Sequence, residues 1–418
     1  MEKYKILLLS DHALSTSGVG CQSRFLINGL ISKGCWSVRQ LGAALKHDNY
    51  DIVQVDPDFI IKPIDGFGDP DMLRVILATE KPDVVLLFTD PRFFTWLWDI
   101  EDEIHQICPI AYWHVWDNGP LPEFNSAYYE ATDLINCHSH TTYEMVSSKF
   151  PERTNFIPHA LPRDVFFRMS PDEIKTAKLQ ILGPSRKDDF VMLWINRNAK
   201  RKRPADVLYA WSIFIKNAGV EDATLIMHTQ PNDPEGPNLI AVTEMLGISK
   251  SVIFSPERVE FDKMNVLHNV SDCCINIAYA EGFGLSTLEA MQVGNPVIAA
   301  KTGGLIRQVV DHRDGTENGV ALDIKLKTLV GSQSVPYIFE DYADVTDTAD
   351  AILKMYNVNK DAEKKEKLSK KCADYVKEEF NLDDTIDAWN KSLLNLVENW
   401  RAGKRASPRF EMIEIGGK

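Results

Sequence analysis

The chain has 418 residues, 44% of them apolar and 25% charged, with a formal net charge of −14. This composition suits a soluble globular enzyme of two or three domains, and no apolar run approaches the roughly 18 residues of a spanning helix. The acidic balance, 13 Lys/Arg against 23 Asp/Glu in residues 1–165, disfavours a broad surface for DNA or anionic lipid, and seven scattered cysteines without a CxxC pair suggest neither zinc nor a disulfide framework.

The apolar core at Ile6–Leu9 is too short for a signal peptide, and Ser10-Asp11 follows it at once. Residues 3–9 therefore read as a first strand, and a reducing cytoplasm is the expected location. Ser10–Ser17 is a polar loop. Gly18-Val-Gly20 then opens a helix to about Ser32, with Leu26, Ile27, Leu30 and Ile31 on its buried face. Strand, glycine turn and helix in succession suit the approach of a phosphate or sugar, although Gly-x-Gly serves a simple turn equally well.

Strand character resumes at Trp36–Leu41 and Asp51–Val55, Asp69–Thr79 reads as a helix, and Asp83–Phe88 as a buried parallel strand. Phe93–Ile107 is expected to be mostly helical, with Phe93, Phe94, Trp96 and Trp98 as core residues. Pro109–Trp113 is the next strand and delivers His114, Trp116 and Asp117 at its exit. Asp133–Cys137 and Thr154–Ile157 complete the first set of strands, and Ser139 caps a helix to about Lys149. Residues 163–188 form a linker with a helix over Pro171–Leu182.

A second set begins with the strand Phe190–Ile195. It runs into Arg197, Lys200, Arg201, Lys202 and Arg203, then into a helix from Pro204 to Asn217. Such a run can be a solvated face or a nucleic-acid patch. Its place at a strand's carboxyl end points instead to a ligand cleft. Ala223–His228 and Val252–Ser255 are strands, separated by the polar loop Thr229–Pro237. Cys273–Ala278 is a buried strand, followed by the turn Glu281-Gly-Phe-Gly284. Leu285, Leu288 and Met291 at helical spacing start a helix near Gly284. Gly294-Asn-Pro296 ends that helix, and Val297–Ala300 is the next strand. Glu281 and Glu289, eight residues apart, fall roughly on one side. Asp344–Tyr356, Asp361–Glu379 and Asn381–Trp400 read as helices. The basic tail Arg401–Lys418 reads as flexible or as a partner contact.

The stretch Asn276–Gly304, with Glu-Gly-Phe-Gly-Leu, Leu-Glu-Ala-Met, Gly-Asn-Pro-Val and Gly-Gly in series, resembles the donor-binding signature of retaining, GT-B-fold glycosyltransferases of family 4. The resemblance implies an α/β chain with two Rossmann-like parallel-sheet domains facing across a cleft and a C-terminal helix crossing back. The expected domains are 1–164 for the acceptor, 165–380 for the nucleotide-sugar donor, and 381–418 for the returning helix and tail. It implies that Arg197 and Lys202 grip the donor diphosphate, Glu281 holds the donor-sugar hydroxyls and Glu289 the ribose. Phe283, Gly284, Leu285 and Ser286 would touch phosphate and sugar through their amides. Arg258 lies where the family places the base, and His114 beside the reacting sugar carbon. Gly18 and Gly20 would meet diphosphate and acceptor, with Ser17-Gly18 replacing the family's Gly-Gly. Trp113, Trp116 and Asp117 would shape the acceptor pocket. His159 replaces an Asn usual at the domain exit and is expected to be structural. Arg307 stands where the family often has Glu.

The expected function is metal-independent, retaining transfer of a hexosyl or pentosyl group from a nucleotide-diphosphate sugar, a UDP-sugar foremost, to a hydroxyl acceptor, with no cofactor. No Asp-x-Asp of the metal-dependent sugar transferases appears in a matching context. Two alternatives stand beside it. One is a phage-type enzyme acting on a hydroxylated DNA base, which leaves DNA open as an acceptor. The other is a nucleotide-sugar-binding protein without transfer activity. No stable membrane association is expected, since residues 1–165 hold no basic amphipathic helix.

Overall fold

The computed structural model describes residues 3–45 and 49–403, so the basic tail read above lies outside the described residues from 404 onward. Contacts divide the chain into two units. One comprises the residues up to His159, with Gln333–Pro336 and the chain from Asp383; the other comprises Ala160–Ser332 and Tyr337–Leu382.

The first unit is built on an eight-stranded sheet. Its strands are β1 (Tyr4–Asp11), β2 (Trp36–Ala43), β3 (Val53–Asp56), β4 (Phe59–Pro63), β5 (Val84–Thr89), β6 (Ile110–His114), β7 (Leu134–Cys137) and β8 (Thr154–Phe156), in the order β3-β4-β2-β1-β5-β6-β7-β8. All neighbours pair parallel except β3 and β4. Every residue of β5 and β6 is buried, as continuous apolar runs in a sheet covered on both faces require. The sequence reading gave one strand at Asp51–Val55. The structure has the β3–β4 hairpin there, whose second strand is a parallel neighbour of β2.

The stretch expected to be mostly helical, Phe93–Ile107, is built in pieces, from a 3₁₀ turn at Pro91–Phe93 and two four-residue helices, Thr95–Trp98 and Glu101–Ile104. Neither short helix has a side-chain cap at its start, so packing holds them rather than helix propensity. Of the four aromatics expected in the core, Phe94 and Trp98 are buried, with Trp98 stacked on Tyr128 at 4.6 Å, while Trp96 is half-buried and Phe93 is exposed.

The C-terminal helix Leu382–Arg401 belongs to this first unit from Asp383 onward, so the expected crossing back is present. Its Ile386, Trp389, Leu393 and Val397 recur at helical spacing and are buried. Trp389 meets Trp113 at 4.9 Å between ring centroids. Asn390 accepts a 2.7 Å hydrogen bond from Trp36 Nε1, and Ile386 lies over Gly29, where no Cβ fits.

The second unit carries the six-stranded parallel sheet β11-β10-β9-β12-β13-β14. Its strands are β9 (Phe190–Ile195), β10 (Ala223–His228), β11 (Val252–Phe254), β12 (Cys273–Asn276), β13 (Val297–Ala300) and β14 (Gly319–Leu322). The helix Pro171–Leu182 has the expected bounds and opens with a capping box between Ser170 and Glu173. The hairpin β15 (Ile324–Val330) with β16 (Ile338–Ala343) and the helices Leu239–Leu246 and Phe261–Val270 were not read from the sequence. The hairpin escaped because Leu326 and Leu329 are largely exposed and mark no buried face. Two Rossmann-like parallel-sheet units and the returning helix are the GT-B fold.

Candidate functional site

In the second unit β9 ends at Ile195, and the basic run follows at its carboxyl end, where open parallel sheets bind ligands. The run folds as a loop, a 3₁₀ turn at Lys200–Lys202, and Arg203 in the left-handed region at φ 53° before the helix Pro204–Ala218. This geometry turns Arg203 and Arg197 to carboxylates of their own and brings Arg201 and Lys202 to the same one, Glu281, while Lys200 is exposed. Arg203 is buried; it pairs with Asp206 at 2.7 Å, donates to the Ala343 carbonyl at 3.0 Å, and is structural. Arg201 donates to the Ala280 carbonyl at 2.6 Å and stands 4.0 Å from Glu281. Lys202 pairs directly with the Glu281 carboxylate. Arg197 is mostly exposed and held by Asp233 through two hydrogen bonds of 2.8 and 3.1 Å. Lys202 and Arg197, expected to act together on one diphosphate, are thus each held by a separate carboxylate.

Glu281 is 8% exposed. Burial pushes its carboxyl up, but the Lys202 and Arg201 charges and the hydrogen bonds from Lys202 and Asn276 outweigh burial and hold it below the usual range. Asn276, at the end of β12, donates from Nδ2 at 3.3 Å. A carboxylate fixed by a lysine and an amide suits hydroxyl recognition, because it stays ionised and accepts only.

The turn after Glu281 is clamped from behind. Gly304 N–H donates to the Glu281 carbonyl at 2.9 Å, and Gln308 Nε2 donates to the Phe283 carbonyl at 2.7 Å. Thr287 hydroxyl reaches both Gly284 O and Gln308 Oε1, at 2.6 and 2.5 Å. Gly284 sits at φ 92°, where a Cβ would also meet Leu305 Cδ2 at 2.5 Å, so this position needs glycine. The helix Leu285–Gln292 starts here without a side-chain cap. Leu285 and Ser286, in its first turn, are half-buried, and Phe283 is buried.

Glu289 lies one turn further, with its side chain 14% exposed. It meets His268, on the helix Phe261–Val270, with Nε2 2.9 Å from Oε2. Arg258 is in an exposed loop after β11. Arg307, the departure from the family pattern, pairs with Glu379 of the helix Ala362–Glu379 at 2.8 Å, and its carbonyl accepts from Tyr375.

In the first unit, Ser17 caps the helix Gly18–Ser32 by accepting from Gly20 N–H at 3.0 Å. The same hydroxyl donates to Asp11 at 2.6 Å. Burial raises the Asp11 carboxyl more than this hydrogen bond lowers it. Gly18 is exposed, and Gly20 packs so tightly that a Cβ would lie 2.5 Å from the His12 carbonyl. Asp117 is half-buried, with its charge felt by Arg92. Trp113 and Trp116, expected at the acceptor pocket, are 2% and 4% exposed, and Trp113 packs between Phe88 and Trp389 as a core residue. His159 stacks on His138 at 4.4 Å and is buried.

His114 ends β6, is fully buried, and lies 2.8 Å from the Tyr129 hydroxyl through Nε2. Burial and the neighbouring His138 depress its pKa to about 3. The native chain therefore holds His114 neutral, while the unfolded chain takes up its proton below about pH 6.5. This contribution is complete above pH 6.5 and is lost as pH falls toward 3, at about 1.4 kcal/mol per unit. His159 is depressed for the same reason, and His105, raised by Asp133 and Glu101 against its burial, acts in the opposite sense. In urea titrations between pH 7 and 5, His114→Gln is expected to lose stability less steeply than the parent by about one histidine's share, 1.4 kcal/mol per unit. Equal slopes would show that His114 is accessible to protons in the native state.

Sequence reasoning missed Asp233, Asn276, His268, Gln308 and Asp11. Asn276 was signalled by its position at the end of β12; the others lie outside the contiguous motif.

Residues 180–375 match the family described as glycosyl transferases group 1, which bears out the resemblance over the second unit's main part. A D-inositol 3-phosphate glycosyltransferase of Salinispora tropica is 32% identical over 158 residues, covering 35% of this chain and 32% of the relative. An N-acetyl-alpha-D-glucosaminyl L-malate synthase of Bacillus anthracis is 27% identical over 218 residues, covering 51% of this chain and 52% of the relative. The chain thus spans about a third to a half of these relatives' length. Among solved structures, Anabaena Alr3699/HepE in complex with UDP and glucose aligns with a TM-score of 0.67 at 16% identity, covering 94% of this chain and 100% of that one. Sucrose-phosphate synthase of Thermosynechococcus elongatus aligns with a TM-score of 0.69 at 16% identity, over 96% and 99%. At such identity these neighbours speak for the GT-B fold.

Proposed function

We propose that the chain is a retaining glycosyltransferase that moves a hexosyl or pentosyl group from a nucleotide-diphosphate sugar to a hydroxyl acceptor, without metal or cofactor. The observation that carries this reading is the pair of buried Glu281 and half-buried Lys202, flanked by Arg201, at the carboxyl-end rim of the second sheet. It lies within the segment matched to the group 1 family. The structural neighbour carrying UDP and glucose favours a UDP-sugar.

In this mechanism the bond between the sugar's anomeric carbon and the diphosphate oxygen breaks, and the acceptor oxygen bonds to the same face. The acceptor proton passes to the departing phosphate. Negative charge grows on the diphosphate as the bond breaks, and Lys202 and Arg197 neutralise it, the work that a metal does in other transferases. Glu281 holds the sugar hydroxyls, and the amides of Phe283, Gly284, Leu285 and Ser286 meet phosphate and sugar. Glu289 takes the ribose, Arg258 approaches the base, and Gly18, Gly20 and Asp117 serve the acceptor side. His114 serves the oxocarbenium-like carbon, and its neutrality fits: a protonated imidazole beside a developing cation would raise the barrier. The acceptor is a hydroxyl compound, and the cytoplasm is the proposed location.

Purified protein incubated with a panel of UDP-, GDP- and ADP-sugars in chelator, without acceptor, tests the reading. Slow release of one nucleotide, absent in Glu281→Ala, is the expected result. No release, and no thermal stabilisation by any of the nucleotides, would refute it.

A further inference from the structure

We infer that His268 is a positioning residue for the nucleotide: it anchors one oxygen of the Glu289 carboxylate so that the other is presented to the ribose hydroxyls. The inference rests on the donor reading above and adds a residue that lies outside the motif.

His268 is wholly buried, and its Nε2 stands 2.9 Å from Glu289 Oε2. Its other nitrogen, Nδ1, is also buried and has no hydrogen-bond partner among the described residues. This asymmetry assigns the tautomer. A proton on Nδ1 would be a buried donor without an acceptor, a costlier arrangement than a bare lone pair. The proton therefore sits on Nε2, and the ring donates to the carboxylate.

The ring is held in place from several sides. Phe166 meets it edge-on at 6.0 Å and 73°. The His268 carbonyl accepts from Asn295 Nδ2 and from Ser271 Oγ, and Asn295 Oδ1 in turn accepts from Arg168 at 3.1 Å. Asn295 belongs to the Gly-Asn-Pro-Val element of the motif, so the motif fixes both ends of this link: Glu289 directly, and His268 through its backbone.

A glutamate side chain has three rotatable bonds, and orienting it before the ligand arrives removes an entropic cost from binding. Burial, then proximity to His268, hold His228 below its ordinary value while Glu289 raises it, and burial pushes the Cys274 thiol up to about 12. An ionised carboxylate with one oxygen committed accepts only, and vicinal hydroxyls are its natural ligand.

The experiment measures affinities for UDP, ADP and GDP and for their 2′-deoxy and 3′-deoxy forms, in the full chain and in Glu289→Gln, His268→Gln and His268→Phe. The parent is expected to favour the best ribonucleotide over one of its deoxy forms by about tenfold or more. Glu289→Gln and His268→Phe should bring that ratio near one, whereas His268→Gln, whose amide still donates, should keep most of it. A folded His268→Phe that retains the full ratio, while Glu289→Gln loses it, overturns the inference and leaves the donor reading intact. A ratio near one in the parent, or one unchanged in Glu289→Gln, overturns the ribose role of Glu289 itself. Should His268→Phe not fold, nitrogen NMR of histidine-labelled parent protein decides. An Nε2-protonated His268 whose signal moves with the ribonucleotide and not with its deoxy form supports the inference, and an Nδ1-protonated ring or an unmoved signal overturns it.

Discussion

Lys202→Met is expected to lower turnover of the preferred nucleotide sugar by about 10²–10³-fold, the scale of removing one fixed donor from a developing anion. The same change is expected to destabilise the second unit by about 3–5 kcal/mol, because it leaves Glu281 buried without its closest cation. Arg201 at 4.0 Å and Asn276 at 3.3 Å compensate only in part. The two effects separate in a double variant. Lys202→Met with Glu281→Gln leaves neither charge buried, so its stability should return close to the parent's while turnover stays low. Thermal unfolding and nucleotide release on the four proteins of this cycle check it. Parent-like turnover in Lys202→Met would remove this lysine from the chemistry.

Gly304→Ala is the second large effect, and it comes from packing alone. A Cβ on Gly304 would lie 2.4 Å from Phe283 Cα, 2.5 Å from Gly282 O and 2.9 Å from Phe283 O. All three are backbone atoms of the turn after Glu281, so no flexible side chain can give way. Overpacking ordinarily costs about 1–3 kcal/mol, and a clash with fixed backbone belongs at or beyond the upper end. Because Gly304 N–H holds the Glu281 carbonyl at 2.9 Å, the displacement passes to the carboxylate. An ångström of misplacement is worth about a hundredfold in rate. Gly304→Ala should therefore melt at least about 6 °C lower and turn over at least tenfold more slowly. Parent-like values in calorimetry and in nucleotide release would mean that the Gly-Gly turn does not brace the site.

The parts of this site that were legible in the sequence are contiguous. Glu281 and Glu289 stand out because one strand, one glycine turn and one helix carry both, and the spacing of apolar residues reveals all three. Lys202 was legible from its place after an apolar strand. Partners brought in by other elements were not. His268 is 21 residues before Glu289 on a helix whose apolar pattern is broken, and Asp233 is 36 residues after Arg197 in a polar loop. Nothing local distinguishes either from a surface residue. The fold shows the same division. Continuous buried strands such as β5, β6 and β9 are plain in the sequence, because burial on both faces leaves an unbroken apolar run. The exposed hairpin β15–β16 and the broken helices after Phe93 are not, because tertiary packing rather than periodicity decides them. The buried state of Trp113 was hidden for a related reason: Trp389, which covers it, is 276 residues away on the returning helix.

The most direct test of the central claim, that this chain's own cations drive departure of the diphosphate and the nucleophile enters on the same face, is the anomeric configuration of the first product. Proton NMR of the sugar released from an α-configured nucleotide sugar, recorded in chelator before mutarotation, reads it. The account predicts the α anomer, formed by the parent and not by Lys202→Met. The β anomer, or release that appears only when a divalent metal is restored, would contradict it.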